Sequence, residues 1–250
     1  MLHHAADQLH RKGRSLAVGP MDGNTWRRYR LLTQRGDEPP FFLEPDNPDD
    51  WPAHFTAVGF EPIATYFSGL NDDLTVVDPR VPAAMERMAR DGIALRTIDL
   101  NRFDEELAAI HELSLEAFAE NFLYTPIGRD EFVAMYGPVR PHLQREIILM
   151  AEQRGRLIGF MFGLPNLAQA SRGQAVDTAI AKTIAVRPGR TGSGLGSVLM
   201  DQFQQAARRL GYQRVIHALM HEGNRSRQMV ARFGRPFRQY TLYSKAMGTG

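Results

Sequence analysis

The chain of 250 residues is 43% hydrophobic and 23% charged, the composition of an ordinary globular protein with one large core or two small ones. It has no cysteine, which excludes disulfides, thiolate metal sites and a cysteine nucleophile, and no apolar run approaching the ~18 residues of a membrane span. Formal net charge is only +2, yet between residues 187 and 238 ten arginines face only Asp201 and Glu222, so positive charge is concentrated there.

The N-terminal stretch MLHHAADQLHRKGR lacks the apolar centre and cleavage site of a signal peptide, and the chain reads as cytoplasmic. Leu2, Ala5, Ala6 and Leu9 make a short amphipathic helix that stops at Gly13, and a strand follows over 15–18. His3 and His10 share that helix, but nothing at ligand spacing completes a site, so no metal is expected. Residues 19–48 are turn-rich, punctuated by GPMDGN, GDEPP and EPDNP. A helix over 50–58 closes at Gly59, and a strand over 63–67 follows. Trp26 and Trp51 are candidates for an acceptor pocket or for core.

Residues 70–82 read as a linker into a helix over 83–90. A strand over 93–98, a long helix over 105–121 and a second helix over 129–136 come next, the long helix burying Leu107, Ile110, Leu113, Leu115 and Phe118. Two apolar runs, 145–152 and 157–164, flank a short glycine-containing turn and form a hairpin. Residues 179–186 are the next strand.

That strand leads into VRPGRTGSGLGSVLM, Val186 to Met200. Leu195, Val198, Leu199, Phe203, Ala206 and Leu210 then recur at three- and four-residue spacing, one apolar stripe of a helix that stops at Gly211. Glycines just before a helix let backbone N–H groups turn toward a ligand, and the first helical turn adds the positive end of its dipole, so a phosphate suits this loop. It has no GxxxxGK, which argues against a nucleotide-hydrolysing loop, and Ser197 stands where GxGxxG requires a third glycine. An NAD-dependent oxidoreductase would also need a ribose-binding acid after its second strand, and Glu222 comes too late.

The remaining pattern, V-x-P followed by G-x-G-x-G, resembles the acyl-CoA loop of the GCN5-related N-acetyltransferase (GNAT) superfamily, with Thr191, Gly194 and Gly196 at the key positions and Val186 and Pro188 ahead of them. Thr191 departs from the family's preferred Gln or Arg. Residues 214–245 resemble the family's fifth strand, following helix and last two strands, with Asn224 and Ser226 opening the helix and Gly234 ending it. Val230 stands where the family commonly has a tyrosine that protonates the departing thiolate. The resemblance implies an α+β (α/β) fold, a mixed central sheet flanked by helices, in residues 91–250.

Part of the pattern occurs twice. ADQLHRKGRSLAVGPM resembles QAARRLGYQRVIHALM, and VGFEPIATYFS resembles FGRPFRQYTLYS, with about 23 extra residues in the first copy. The expected organisation is therefore a truncated, smaller half-module of the same type (1–70), a linker and helix (71–90) and one complete domain (91–250). The half-module leaves a sheet edge that invites pairing within the chain or a homodimer.

The resemblance implies acetyl-CoA as cofactor. Its pantetheine arm would pair with Ile184, Ala185 and Val186, whose backbone would also supply an oxyanion contact. Its pyrophosphate would take the amides of Thr191, Gly192, Ser193, Gly194, Leu195, Gly196 and Ser197, with Asn224 nearby as a helix cap or CoA contact. The arginine-rich segment supplies a steering field for phosphates, and without interleaved aromatic residues it points away from nucleic acid. Candidate proton-transfer groups are His221 and Glu222, at the end of the fifth strand, and Tyr240 and Tyr243 in place of the missing tyrosine. His217, inside that strand, reads as a hydrogen-bonded core residue. The expected function is transfer of an acetyl group to a primary amine of a small molecule or protein, without a membrane partner. The alternative is an acyl-CoA-binding or regulatory module that transfers nothing.

Overall fold

A computed structural model describes residues 1–189, 194–223 and 234–247. Thr191, Gly192, Ser193 and Asn224, together with the expected positions Ser226 and Val230, lie outside the described residues. The elements in order are α1 (Leu2–Arg11), β1 (Leu16–Gly19), β2 (Leu31–Gln34), α2 (Trp51–Ala57), β3 (Glu61–Asn71), α3 (Val81–Arg90), β4 (Ile93–Thr97), α4 (Phe103–Ala117), α5 (Arg129–Tyr136), β5 (Ile148–Gln153), β6 (Arg156–Pro165), α6 (Leu167–Ser171), β7 (Thr178–Val186), α7 (Leu195–Arg209), β8 (Arg214–His221) and β9 (Arg235–Ala246).

The strands make one nine-stranded sheet in the order β1-β9-β3-β8-β7-β6-β5-β4, with β2 also paired to β9. Only β7 and β8 run parallel, so the sheet is mixed. The β5–β6 hairpin turns at Arg154 and Gly155, both at positive φ, where a two-residue turn follows the twist of its strands. Every residue of β6 after Arg156 is buried, because helices cover both faces of the sheet there. On one face α7 lays the stripe Leu195, Val198, Leu199, Phe203 and Ala206 on the sheet beside Val81, Ala84 and Met88 of α3. On the other, Phe103, Leu107, Ile110 and Leu113 of α4 and Phe132 of α5 pack on Met150, Phe160 and Phe162.

The two sequence copies meet in the sheet. In the first copy a helix leads to β1 and a second helix to β3; in the second, α7 leads to β8 and the chain then reaches β9. The order β1-β9-β3-β8 alternates the copies: β3 lies between the second copy's two strands, and β9 between β3 and β1. All three contacts are antiparallel, so the β3–β9 pair sits at the centre of a pseudo-twofold exchange. Residues 1–70 and 91–250 thus build one sheet, and the edge expected on the N-terminal segment is paired within the chain along β3.

Several elements differ from expectation. The two strands expected at the C-terminus are one 12-residue strand, β9, and the partner expected beside it is β3. β2 lies in the stretch read as turns, four residues long with Leu31 and Leu32 buried. Helix α4 ends at Ala117 rather than residue 121, and α3 starts at Val81, with a proline in its first turn where the missing N–H costs nothing.

Close approach of α7 to β6 depends on glycine. A Cβ at Gly163 would stand 2.2 Å from Phe203 Cε2 and 2.5 Å from the Ile147 carbonyl oxygen. Gly163→Ala is therefore expected to lower the unfolding free energy by about 3 kcal/mol through overpacking, read as a lower denaturant midpoint with an unchanged slope.

Candidate active site

The site begins where β7 and β8 part. Their parallel pairing runs from Thr178 opposite Arg214 to Ala181 opposite His217 and stops, although β7 continues to Val186 and β8 to His221. Two local irregularities turn the strands away from each other. On the β6 side Thr183 pairs with Phe162 and Ala181 with Gly163, so Lys182 is the extra residue of a bulge, a device that re-aims a side chain. On the β3 side Ser68 is skipped between Phe67 and Gly69, and its Oγ accepts the N–H of Leu219 at 3.1 Å. Leu219 sits at φ 60, a conformation that β-carbon sterics disfavour, within this irregularity of the β3–β8 pairing.

Beside this irregularity lies a buried polar cluster. Tyr240 donates to Glu44 Oε1 at 2.5 Å and lies 3.3 Å from Ser68 Oγ, Arg238 Nε donates to the same Glu44 oxygen at 2.9 Å, and Glu44 Oε2 accepts the Phe41 N–H at 3.0 Å. The Arg238 and Glu44 side chains are both fully buried, so the pair balances its own charge.

Between the parted strands, α4, α5 and the segment around Trp26 to Pro45 is a cavity of about 890 Å³. Trp26, Tyr29, Arg30, Tyr66, Ser114, Tyr136, Lys182, Thr183, Ile184, His217 and His221 are among its walls. Trp26 is fixed by its Nε1–H to the Thr125 carbonyl at 2.9 Å and by edge contact with Phe132 at 5.6 Å. Burial pushes the Tyr136 hydroxyl up to about 12, so it keeps its proton.

Three of the basic groups on this cavity wall are buried. Arg30, immediately before β2, has its guanidinium carbon 4.0 Å from the Tyr29 ring centre and 4.2 Å from that of Tyr66, and burial lowers its pKa. Lys182 is lowered to about 8 by burial first and by the Arg30 charge second. His217 is 1% exposed, and burial lowers it to about 4. Neither of its ring nitrogens has a partner among the described residues, so it is not the hydrogen-bonded core histidine expected.

The expected site residues separate into groups. Ile184, Ala185 and Val186 lie in the part of β7 beyond its pairing with β8. Gly194 caps α7 at φ 83, Val198 N–H donates to its carbonyl at 3.0 Å, and Gly196 abuts the end of β7, where an added Cβ would be 3.8 Å from Val186 Cγ2. Leu195 and Ser197 complete that first turn. His221 lines the cavity, stacked edge-on with Tyr66 at 5.0 Å, and its Nδ1 accepts the Gly223 N–H at 3.0 Å. Its neutral ring therefore carries its proton on Nε2 and acts as a donor.

The other three candidates stand apart. Glu222 is exposed, outside the cavity wall, with its N–H on the Thr65 carbonyl. Tyr240 belongs to the Glu44 cluster, and Tyr243 packs with Phe55 and Phe60 on another part of the sheet. Trp51 is exposed, so of the two tryptophans only Trp26 reaches the cavity. Arg30 and Lys182 were not found from sequence. Lys182 had one visible signal, a lone lysine inside the apolar strand AIAKTIAV in a chain with three lysines in all. Arg30 had none, being one of three arginines in RRYR.

The family model described as the acetyltransferase (GNAT) family matches residues 105–234, and the chain belongs to this family. It is 23% identical over 268 residues to the bacterial ceramide synthase of Caulobacter vibrioides (strain NA1000 / CB15N), covering 97% of this chain and 70% of the relative. A GCN5-related N-acetyltransferase from Sphaerobacter thermophilus superposes with a TM-score of 0.57 at 17% identity, over 79% of this chain and 56% of that structure, so this chain spans little more than half of it. A tandem GNAT protein from the clavulanic acid biosynthesis pathway superposes with a TM-score of 0.52 at 16% identity, over 99% of this chain and 69% of its own. Both share the GNAT fold, an α+β mixed sheet flanked by helices. Among the described residues no helix is long and apolar enough to cross a membrane, and no cluster of three metal-ligating side chains occurs.

Two stability effects follow from the basic groups. An unfolded histidine takes up its proton near 6.5 and His217 only near 4, so stability is full above pH 6.5 and falls by about 3 kcal/mol as pH drops through that window; denaturant titrations of His217→Leu should lack this component. Lys182, lowered from 10.5 to about 8, disfavours the fold at neutral pH, so Lys182→Met should raise the unfolding free energy by about 1–3 kcal/mol at pH 7, seen as a higher melting temperature.

Proposed function

We propose that this chain is an acyl-CoA-dependent N-acyltransferase whose amine acceptor enters the cavity between β7, β8 and the N-terminal segment. The observation that carries this is the parting of β7 and β8 beyond Ala181 and His217. It leaves Ile184 to Val186 next to open space on the β8 side, where the pantetheine arm of an acyl-CoA adds as a strand, and the end of β7 abuts Gly196 at the start of α7, the anion-favouring end of that helix. In this reading the pyrophosphate sits along Gly194 to Ser197 and the preceding loop with Thr191, Gly192 and Ser193, and Asn224 lies beside it.

The reaction joins the acceptor nitrogen to the thioester carbonyl carbon and breaks the carbon–sulfur bond, giving an amide and CoA thiol. The acceptor arrives as an ammonium and must lose a proton before it attacks. Lys182 takes it, since its neutral form is populated near pH 8. His221 donates a hydrogen bond from Nε2 rather than accepting the proton. The second nitrogen-bound proton ends on the departing thiolate. Acetyl-CoA is the smallest donor for this reading. The cavity of about 890 Å³ and the likeness to a relative named a ceramide synthase extend the donor range to longer acyl chains. The acceptor is a primary amine of a small molecule or protein, and the acyl transfer is placed in the cytoplasm.

The test is release of CoA thiol from acetyl-, octanoyl- and palmitoyl-CoA with a panel of primary amines, alongside calorimetric titration with each acyl-CoA. Amine-dependent release supports transfer. Binding without release for every amine returns the chain to the alternative of an acyl-CoA-binding module, and no binding removes both. If Lys182 is the base, kcat/KM rises with pH up to a plateau above about 8, and Lys182→Met lowers it by about 100-fold or more and abolishes that limb.

A further inference from the structure

The charge in the cavity is unbalanced in a way that acyl transfer alone does not require. Arg30 is only 8% exposed, yet it makes no ion pair with any described carboxylate, and its Nε and Nη1 have no hydrogen-bond partner among the described residues. Its neighbours are aromatic faces, Tyr29 at 4.0 Å and Tyr66 at 4.2 Å, which stabilise a cation without neutralising it. The buried carboxylate on the same wall, Glu44, is already held by Arg238, Tyr240 and the Phe41 amide. Glu120, the other acidic residue on the wall, is exposed. Lys182 adds a second basic group close enough for Arg30 to lower its pKa. Burying an unpaired guanidinium is costly unless something pairs with it, and here the opening beside it is the acceptor cavity.

The geometry points to an oxyanion subsite at Arg30: the acceptor carries, besides its amine, a carboxylate or phosphate that pairs with this guanidinium. The inference rests on the acyl-transfer reading only for which end of the acceptor reacts; the subsite itself is a property of the cavity. The Tyr29 and Tyr66 rings, whose centres are 5.5 Å apart with planes at 87°, both lie against the guanidinium, so its position is set before the ligand arrives. An amine without the anionic group leaves Arg30 unpaired in the complex as in the free protein, and it therefore binds worse than its charged counterpart. Arg30 is in this sense a specificity residue, separate from the strand edge that takes the acyl-CoA.

Three amines of one chain length test this: butylamine, 4-aminobutanoate and 4-aminobutyl phosphate. Binding is followed by fluorescence of Trp26, which lines the same cavity, in the absence of any acyl-CoA, and kcat/KM is measured separately by thiol release. The expected result is a preference of about tenfold or more for one or both anionic amines over butylamine, with the carboxylate and phosphate arms telling which anion is favoured. In Arg30→Gln the preference shrinks to within about threefold, while titration of the same variant with acetyl-CoA matches the parent and confirms an intact fold. Arg30→Lys, which keeps the charge but loses the planar fork, retains part of the preference. Butylamine binding as well as both anionic amines, no binding by any of the three, or a preference that survives Arg30→Gln overturns the proposal. Failure of acyl transfer with the fluorescence preference intact would instead overturn the proposed reaction and leave the subsite standing.

Discussion

Everything at the candidate site depends on two parallel strands being forced to separate. Left to the ladder, β7 and β8 would pair to their ends, since an unpaired backbone group costs free energy wherever water cannot reach it. Two irregularities on the outer sides prevent this: the Lys182 bulge against β6, and the Ser68 irregularity that captures the Leu219 N–H. Both need a neighbouring strand to brace them, and for β8 that strand is β3. The N-terminal segment is therefore part of the acyltransferase sheet, and its exchange with β9 gives the sheet its wedge.

The legible parts of this architecture were the locally encoded ones. The α7 stripe, the β5–β6 hairpin and the glycines before α7 follow from periodicity and turn chemistry within a few residues, and the fold class came from the resemblance of that glycine motif and of residues 214–245 to the GNAT family. The duplication was also visible, because similarity between segments survives without knowledge of their contacts. The exchange was not. Pairing of β3 with β8 and β9 joins residues some 150 or more positions apart, and both adjacent and exchanged arrangements bury the same alternating side chains. The resemblance implied two last strands in residues 214–245, where the structure has one, β9, paired with β3.

Site residues divided along the same line. That Ile184 to Val186 end a strand just ahead of the glycine loop could be placed from the motif, because it depends on strand position and not on side chains. Side-chain roles could not. His217 in a strand looks the same whether its nitrogens are bonded or face a cavity, and Tyr240 looks catalytic until Glu44, from a distant turn, claims its hydroxyl. The groups that distinguish this cavity, Arg30 and Lys182, lie far apart in the sequence, one just before β2 and the other in β7, and only the folded sheet brings them near each other.

That convergence has an energetic consequence. A lysine and an arginine of like charge in one poorly solvated cavity oppose folding, while nearby Glu44 and Arg238 show that this chain pairs buried charges when structure alone is at stake. The lysine is not a packing choice: AIAKTIAV would be a better buried strand with an apolar residue at its fourth position. An element that weakens the fold and persists beside an open cavity is accounted for when a ligand completes it, since binding to the folded state alone restores the stability that the empty site lacks. The cavity is then stabilised most by an occupant that brings the missing negative charge.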